Sequence, residues 1–144
     1  MLQIGCICQY NISITNNYRF FIIMRVIETK MNKAIRRRGN FSSGNTRVAT
    51  GSFFDSKGNY CEESKVFLHG NHIATYDHVN KELSLFDGGW QTVTTKSRLN
   101  ALCYEFATGF SVFQKNWDWF VSDFKNVKKE FVSNTIVNYN GCWE

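Results

Sequence analysis

The chain has 144 residues, enough for one domain with a real core and too few for two. Hydrophobic residues make up 43% and aromatics 16%, led by thirteen Phe, which excludes a disordered chain, while the absence of proline excludes rigid proline-built linkers and leaves the turns to Gly and Asn. The net charge of +5 is unevenly placed: residues 1–50 carry eight Lys or Arg against one acid, Glu28, and residues 51–144 carry nine against eleven, so any pull on a polyanion comes from the N-terminal third.

In chain order, residues 1–30 contain the apolar run Phe20-Phe-Ile-Ile-Met24, broken by Arg25. It falls far short of the roughly 20 apolar residues of a spanning helix, and no basic n-region with a small-residue cleavage site marks a signal peptide, so no membrane role is expected. The segment reads as an extension ahead of a start at Met24 or Met31. Met31 to Asn45 is basic and then Gly/Ser/Asn-rich, and residues 1–44 together read as a basic, flexible N-terminal extension in front of one domain, residues 45–144.

From Thr46 the pattern turns to period two with tight turns. Strands are expected at Thr46 to Phe54, Tyr60 to His69, His72 to Tyr76 and Glu82 to Phe86, separated by turns at Asp55–Asn59, Gly70-Asn71 and His78–Asn80. Val66 and Leu68 share one face, and so do Leu83 and Leu85. After Gly88-Gly-Trp90, the apolar positions Leu99, Leu102, Cys103 and Phe106 fall at i, i+3, i+4 and i+7, the stripe of an amphipathic helix over about residues 95–108. Thr95 is placed to cap its start and Gly109 to end it. A hairpin from Phe110 to Gln114 and Trp119 to Phe124, turning through Lys115-Asn-Trp-Asp118, precedes a last strand, Phe131 to Tyr139. The sum is an α+β domain: an antiparallel sheet of hairpins with one amphipathic helix packed on one face.

Val66-Phe-Leu-His-Gly-Asn-His-Ile-Ala74, Gly88-Gly-Trp90 and Thr92-Val-Thr-Thr-Lys-Ser-Arg-Leu-Asn-Ala101 occur in an order and spacing similar to a group of small uncharacterised proteins of tailed phages, including phages of cyanobacteria. The resemblance covers roughly residues 45–139. It implies a viral source and an intracellular setting, the host cytoplasm, and supplies no mechanism.

Chemistry is sparse. No nucleotide-binding glycine pattern and no nucleophile elbow is present, and Glu62-Glu63 are adjacent, so on a strand they point to opposite faces. His69, His72 and His78 with Asp77 are too poorly spaced for a metal site, and no cofactor is expected. Five cysteines, an odd number without a Cys-x-x-Cys pair, suit a reduced setting with Cys103 as a core residue. Two surfaces remain. Thr95, Lys96 and Arg98 at the helix start, with Arg36, Arg37 and Arg38 of the basic extension, suit an anion such as a nucleic-acid phosphate. Trp117 and Trp119, at a hairpin turn, suit a protein interface. The leading expectation is a non-enzymatic phage accessory protein that binds a host or virion protein; the alternatives are a nucleic-acid binder using the basic residues and a structural component of the virion.

Overall fold

The computed structural model describes residues 24–123, 125 and 127–138, so the apolar run before Met24, Phe124 and the end of the last expected strand at Tyr139 lie outside the described residues. Among the described residues there are two helices and nine strands: α1 (Val26–Arg36), β1 (Phe41–Ser43), β2 (Thr46–Phe54), β3 (Tyr60–Leu68), β4 (Asn71–Asp77), β5 (Glu82–Leu85), α2 (Val93–Phe106), β6 (Ser111–Lys115), β7 (Asp118–Ser122), β8 (Lys128–Glu130) and β9 (Thr135–Asn138). β1 to β5 form an antiparallel meander, and β9 returns to pair with β5 and close that edge. β6, β7 and β8 form a separate three-stranded sheet.

Period-two patterning places one row of small and branched residues, Val48, Val66, Ala74 and Leu85, directly opposite one another across four strands. All four are buried, with Leu83 and Val137 beside them. A register shift after Val66 inserts an extra residue into β4, so the consecutive Ile73 and Ala74 are both buried. Against this face lie Leu99, Leu102, Cys103 and Phe106 of α2, the stripe expected from the sequence. Burial pushes the Cys103 thiol up to about 12, which leaves it an apolar core residue at neutral pH. The expected antiparallel sheet with a helix against it is what forms.

Three parts of the sequence reading need correction. Residues 26–36 are a helix, α1, and no flexible arm: Met31 and Ile35 are wholly buried, and Glu28 and Asn32 complete the inward stripe. The pattern hides because two of its four positions are polar. α2 begins at Val93, capped by Thr92, whose hydroxyl accepts the Thr95 amide at 3.1 Å, so Thr95 lies in the first turn; the helix ends at Phe106, ahead of Gly109. The expected last strand splits. Phe131 stays with the small sheet, its amide bonded to the Trp119 carbonyl, and a turn through Asn134 at φ 74° starts β9 in the large one.

The two helices run parallel, joined rung by rung at a constant offset. Ser97 Oγ donates to Glu28 at 2.6 Å, Asn32 Nδ2 donates to the Ala101 carbonyl at 3.1 Å, and Arg36 pairs with Glu105. Successive rungs are four residues apart on both helices, so the N-termini of α1 and α2 lie at one end of the molecule. The Thr46 end of β2 joins them through Arg98, whose Nε donates to Thr46 Oγ1 at 3.0 Å. At the opposite end β2 and β3 outrun their neighbours: β1 pairs only as far as Val48, and β4 pairs no further than Glu63. The result is a two-stranded ribbon turning through Asp55–Asn59, with residues 51–54 and 56–60 exposed.

Candidate functional site

At the end where both helices start, the Asp87-Gly-Gly-Trp90 loop and the first turn of α2 face the His69-Gly70 turn across a half-open pocket of about 400 Å³. Leu68, Ile73 and Trp90 supply its apolar walls. His69 and Asn71 come from the turn, and Asp87, Thr92, Thr94 and Thr95 from the loop and helix start that face it. The volume lies in the range of small-ligand and side-chain sites, ~300–1,000 Å³.

The rim is held rigid by local chemistry. Gly88 has φ 66°, and a Cβ there would meet Ile73 Cγ2 at 3.1 Å and Asn71 Cβ at 3.2 Å, so only glycine lets the loop lie this close to β4. Asp87 Oδ1 accepts the Gly89 amide at 2.9 Å and Asp87 Oδ2 accepts Gln91 Nε2 at 3.1 Å. Thr95 Oγ1 donates to the Trp90 carbonyl at 3.0 Å. Trp90 is thus presented on a fixed backbone, yet its side chain is 66% exposed.

Other apolar groups gather at the same end. Val93, in the first turn of α2, and Val26, at the start of α1, are exposed, as is Val132, next to the Ser133 that bonds Asp87. The small sheet brings a further residue. Asn100 holds both the N–H and the C=O of Val112, at 2.7 and 2.9 Å, so β6 runs back along α2 and the β6–β7 turn points toward the helix start. At that turn Trp117 is 87% exposed with φ 72°. A bulky side chain in left-handed backbone at a turn position that favours glycine is strained, and so exposed a Trp makes little contact with its own chain to offset that cost.

Trp119, expected beside Trp117 at an interface, belongs to the core instead. It is 3% exposed and packs edge-on to Phe131 at 5.6 Å, because alternation along β7 turns it inward. The anion site expected at the start of α2 is not assembled either. Arg98 is 2% exposed, with Nη1 donating to Glu28 Oε2 at 2.7 Å and Nη2 to Asn45 Oδ1 at 3.2 Å. Glu28 is also held by the Arg25 amide at 3.0 Å. Helical spacing places Arg98 on the core face with Leu102, and a buried guanidinium needs a carboxylate, which the unforeseen helix provides. Thr95 is likewise buried, leaving Lys96 half-exposed. Of the basic extension, Arg36 pairs with Glu105, Arg38 lies 3.5 Å from Glu62, and Arg37 is exposed.

The histidines stand apart. His69 is exposed at the pocket; His72 lies on the outer face between Phe67 and Phe86, with Nε2 2.7 Å from Thr75 Oγ1. His78 is buried at the far end in a polar chain. Thr50 Oγ1 donates to the Gly39 carbonyl, so Ser64 donates to Thr50 and its oxygen takes the Nε2 proton of His78 at 2.8 Å. That chain directs the proton away from the role a general base needs, and Ser64 is wholly buried, so the pair is structural. Burial lowers the pKa of both His72 and His78. Among the described residues no cluster of His, Cys, Asp or Glu can hold a metal ion, and no helix is long and apolar enough to cross a membrane.

No curated protein and no solved structure matches the chain. A family model described as Kyanoviridae Gp96 protein matches residues 24–138, taking in α1, which the sequence resemblance had left out, and both elements that frame the pocket. With most of its length so covered, the chain belongs to the Kyanoviridae Gp96 family, a tailed-phage family of the cyanophage kind.

Proposed function

We propose that this protein is a non-enzymatic phage accessory protein that works by holding another protein, of the host or of the virion, at the end where the two helices start. Membership in a phage family fits an accessory or structural role. The observation that carries the finer reading is the apolar pocket walled by an exposed Trp90, at the end of the molecule where Val93 and Val132 are also exposed. Exposed aromatics on rigid backbone around a hollow are the anatomy of an interface anchor and its socket.

Capture from infected host cells, with and without nuclease, tests it. Wild-type protein retains a partner after nuclease treatment and Trp90→Ala loses it. Capture that is nuclease-sensitive, or identical for the variant, defeats the reading.

The second reading, nucleic-acid contact, draws on α1. Lys30, Lys33 and Arg37 all face solvent, while the helix's one acid, Glu28, is turned inward. The same nuclease arm measures it, and reversing those three charges would abolish salt-sensitive binding if phosphates are the ligand.

A further inference from the structure

The helix that the sequence concealed brings its charges to one side of the molecule. Val26, Lys30, Lys33 and Arg37 follow one another at i, i+4, i+7 and i+11, a single stripe of α1, and all four are exposed. The stripe lies opposite the buried Glu28, Met31, Asn32 and Ile35, and at 1.5 Å per residue it spans about 10 Å from Lys30 to Arg37.

Acids are missing from its surroundings. Residues 29–54, which include most of α1 and all of β1 and β2, contain no Asp or Glu. The one acid of α2, Glu105, is taken by Arg36, Glu62 lies beside Arg38, and Glu28 is inside with Arg98. Among the described residues Lys30, Lys33 and Arg37 make no ion pair. Cations in a last turn complement the helix dipole, which explains Lys33 and Arg36; it does not explain Lys30 in mid-helix or so long a run without a carboxylate. Neutral donors continue the surface. β1 packs against α1 at the edge of the large sheet, and its Ser42 and Ser43 are exposed, as is Thr29 on the helix. Cations interleaved with hydroxyls are the donor set that grips phosphate oxygens along a nucleic-acid backbone.

What the stripe lacks selects among polyanions. A helix that lies in a membrane surface buries an apolar face, and here Val26 is the one apolar residue. Single strands are held by stacking bases on aromatic rings, and the stripe has none, while Phe41 of β1 packs against the core. A duplex displays its charges outward, and B-form DNA opens a groove of about 12 Å that admits a helix face, whereas the corresponding groove of duplex RNA is too narrow for side chains.

Resting on the second reading above and naming its ligand, we propose that α1 and β1 form a docking surface for the phosphate backbone of double-stranded DNA, held without regard to sequence by Lys30, Lys33 and Arg37. No residue of α1 or β1 lines the Trp90 pocket, so a duplex and a protein partner can be held at once.

Fluorescence anisotropy over a salt series tests this, with short labelled DNA duplexes of unrelated sequence against duplex RNA, single-stranded DNA and vesicles of anionic lipid. The wild type should bind the DNA duplexes most tightly and alike, with log K falling against log salt at a slope of about −2.7, from three contacts at about −0.9 each. Lys30→Gln/Lys33→Gln/Arg37→Gln should lose both binding and slope, while Lys57→Gln/Lys65→Gln/Lys81→Gln, of the same net charge, should keep them. All six side chains are exposed, so unchanged melting temperatures verify the folds. Trp90→Ala should bind DNA as the wild type does. Tighter binding of duplex RNA or of the single strand overturns the assignment to duplex DNA and leaves the nucleic-acid reading standing. Preference for the vesicles, or no binding at low salt, overturns both, and equal losses in the two triple variants overturn the assignment to α1.

Discussion

The two ends of this molecule are built on opposite principles. At the pocket end the backbone is pinned from inside: Arg98 ties α1, α2 and β2 together through Glu28, Thr46 and Asn45, and Gly88 fits the loop against β4. At the ribbon end the internal anchors run out with the Thr50–Ser64–His78 chain and Glu62, whose carbonyl accepts the His78 amide and whose carboxylate lies 3.5 Å from Arg38, and past Glu62 β2 and β3 pair only with each other. A pocket that docks a partner has to keep its shape, and its backbone is pinned accordingly; the exposed ribbon is under no such constraint. Placing the buried charges at one end and the bare ribbon at the other divides the molecule accordingly.

The largest way to break that contrast is to strip the pocket end of its carboxylate. Glu28→Ala leaves the buried Arg98 without a counter-charge and should cost about 3–5 kcal/mol in denaturant unfolding. A chain begun at Met31 also lacks Glu28 and should be destabilised at least as much, whereas one begun at Met24 retains the pair. Replacing both partners by apolar residues, Glu28→Leu with Arg98→Met, should recover most of the loss, which would show that the penalty is an orphaned charge.

A smaller effect separates two neighbouring glycines. Gly89→Ala meets nothing within 4 Å and should cost only its left-handed backbone, about 1–2 kcal/mol, while Gly88→Ala adds the encounter with Ile73 and Asn71 and should cost more and deform the pocket. Equal costs by thermal unfolding would show that the loop does not press on β4.

His78 and His72 carry a pH dependence. Burial holds His78 below its ordinary pKa, so the unfolded chain takes up a proton more readily than the folded one. Its contribution is fully present above about pH 6.5 and declines as pH falls through the folded value, with a slope of at most about 1.4 kcal/mol per pH unit. His72 is shifted the same way and adds to the effect. His78→Asn should flatten the curve, measured as unfolding midpoint against pH.

The smallest change is the most diagnostic. Trp117→Gly relieves a φ of 72° and loses almost no internal contact, so it should stabilise the fold by up to about 1 kcal/mol while weakening partner capture. A stabilised variant that binds undiminished would make Trp117 a bystander.

Period-two alternation from Thr46 to Leu85, the turn residues between strands and the Leu99–Phe106 stripe were legible because each is a local pattern of apolar side chains at its own period. β8, three exposed charged residues, carries no such pattern and is placed by its ladder to β7. The pocket was half-legible: the Gly-Gly-Trp block announced a tight turn and a displayed aromatic, and nothing in it announced that Leu68 and Ile73 would complete the wall.

By itself the chain's order of residues determined the antiparallel meander and the face that α2 buries, since both follow from side-chain periodicity. Only the tertiary structure decided that Glu28 and Asn32 lie inward on a helix, that Arg98 is an internal strut and that Trp119 is core while Trp117 is bare. Those outcomes depend on partners distant in the chain, Arg98 on Glu28 across 70 positions, and a polar residue looks solvated until the group that neutralises it has been brought alongside.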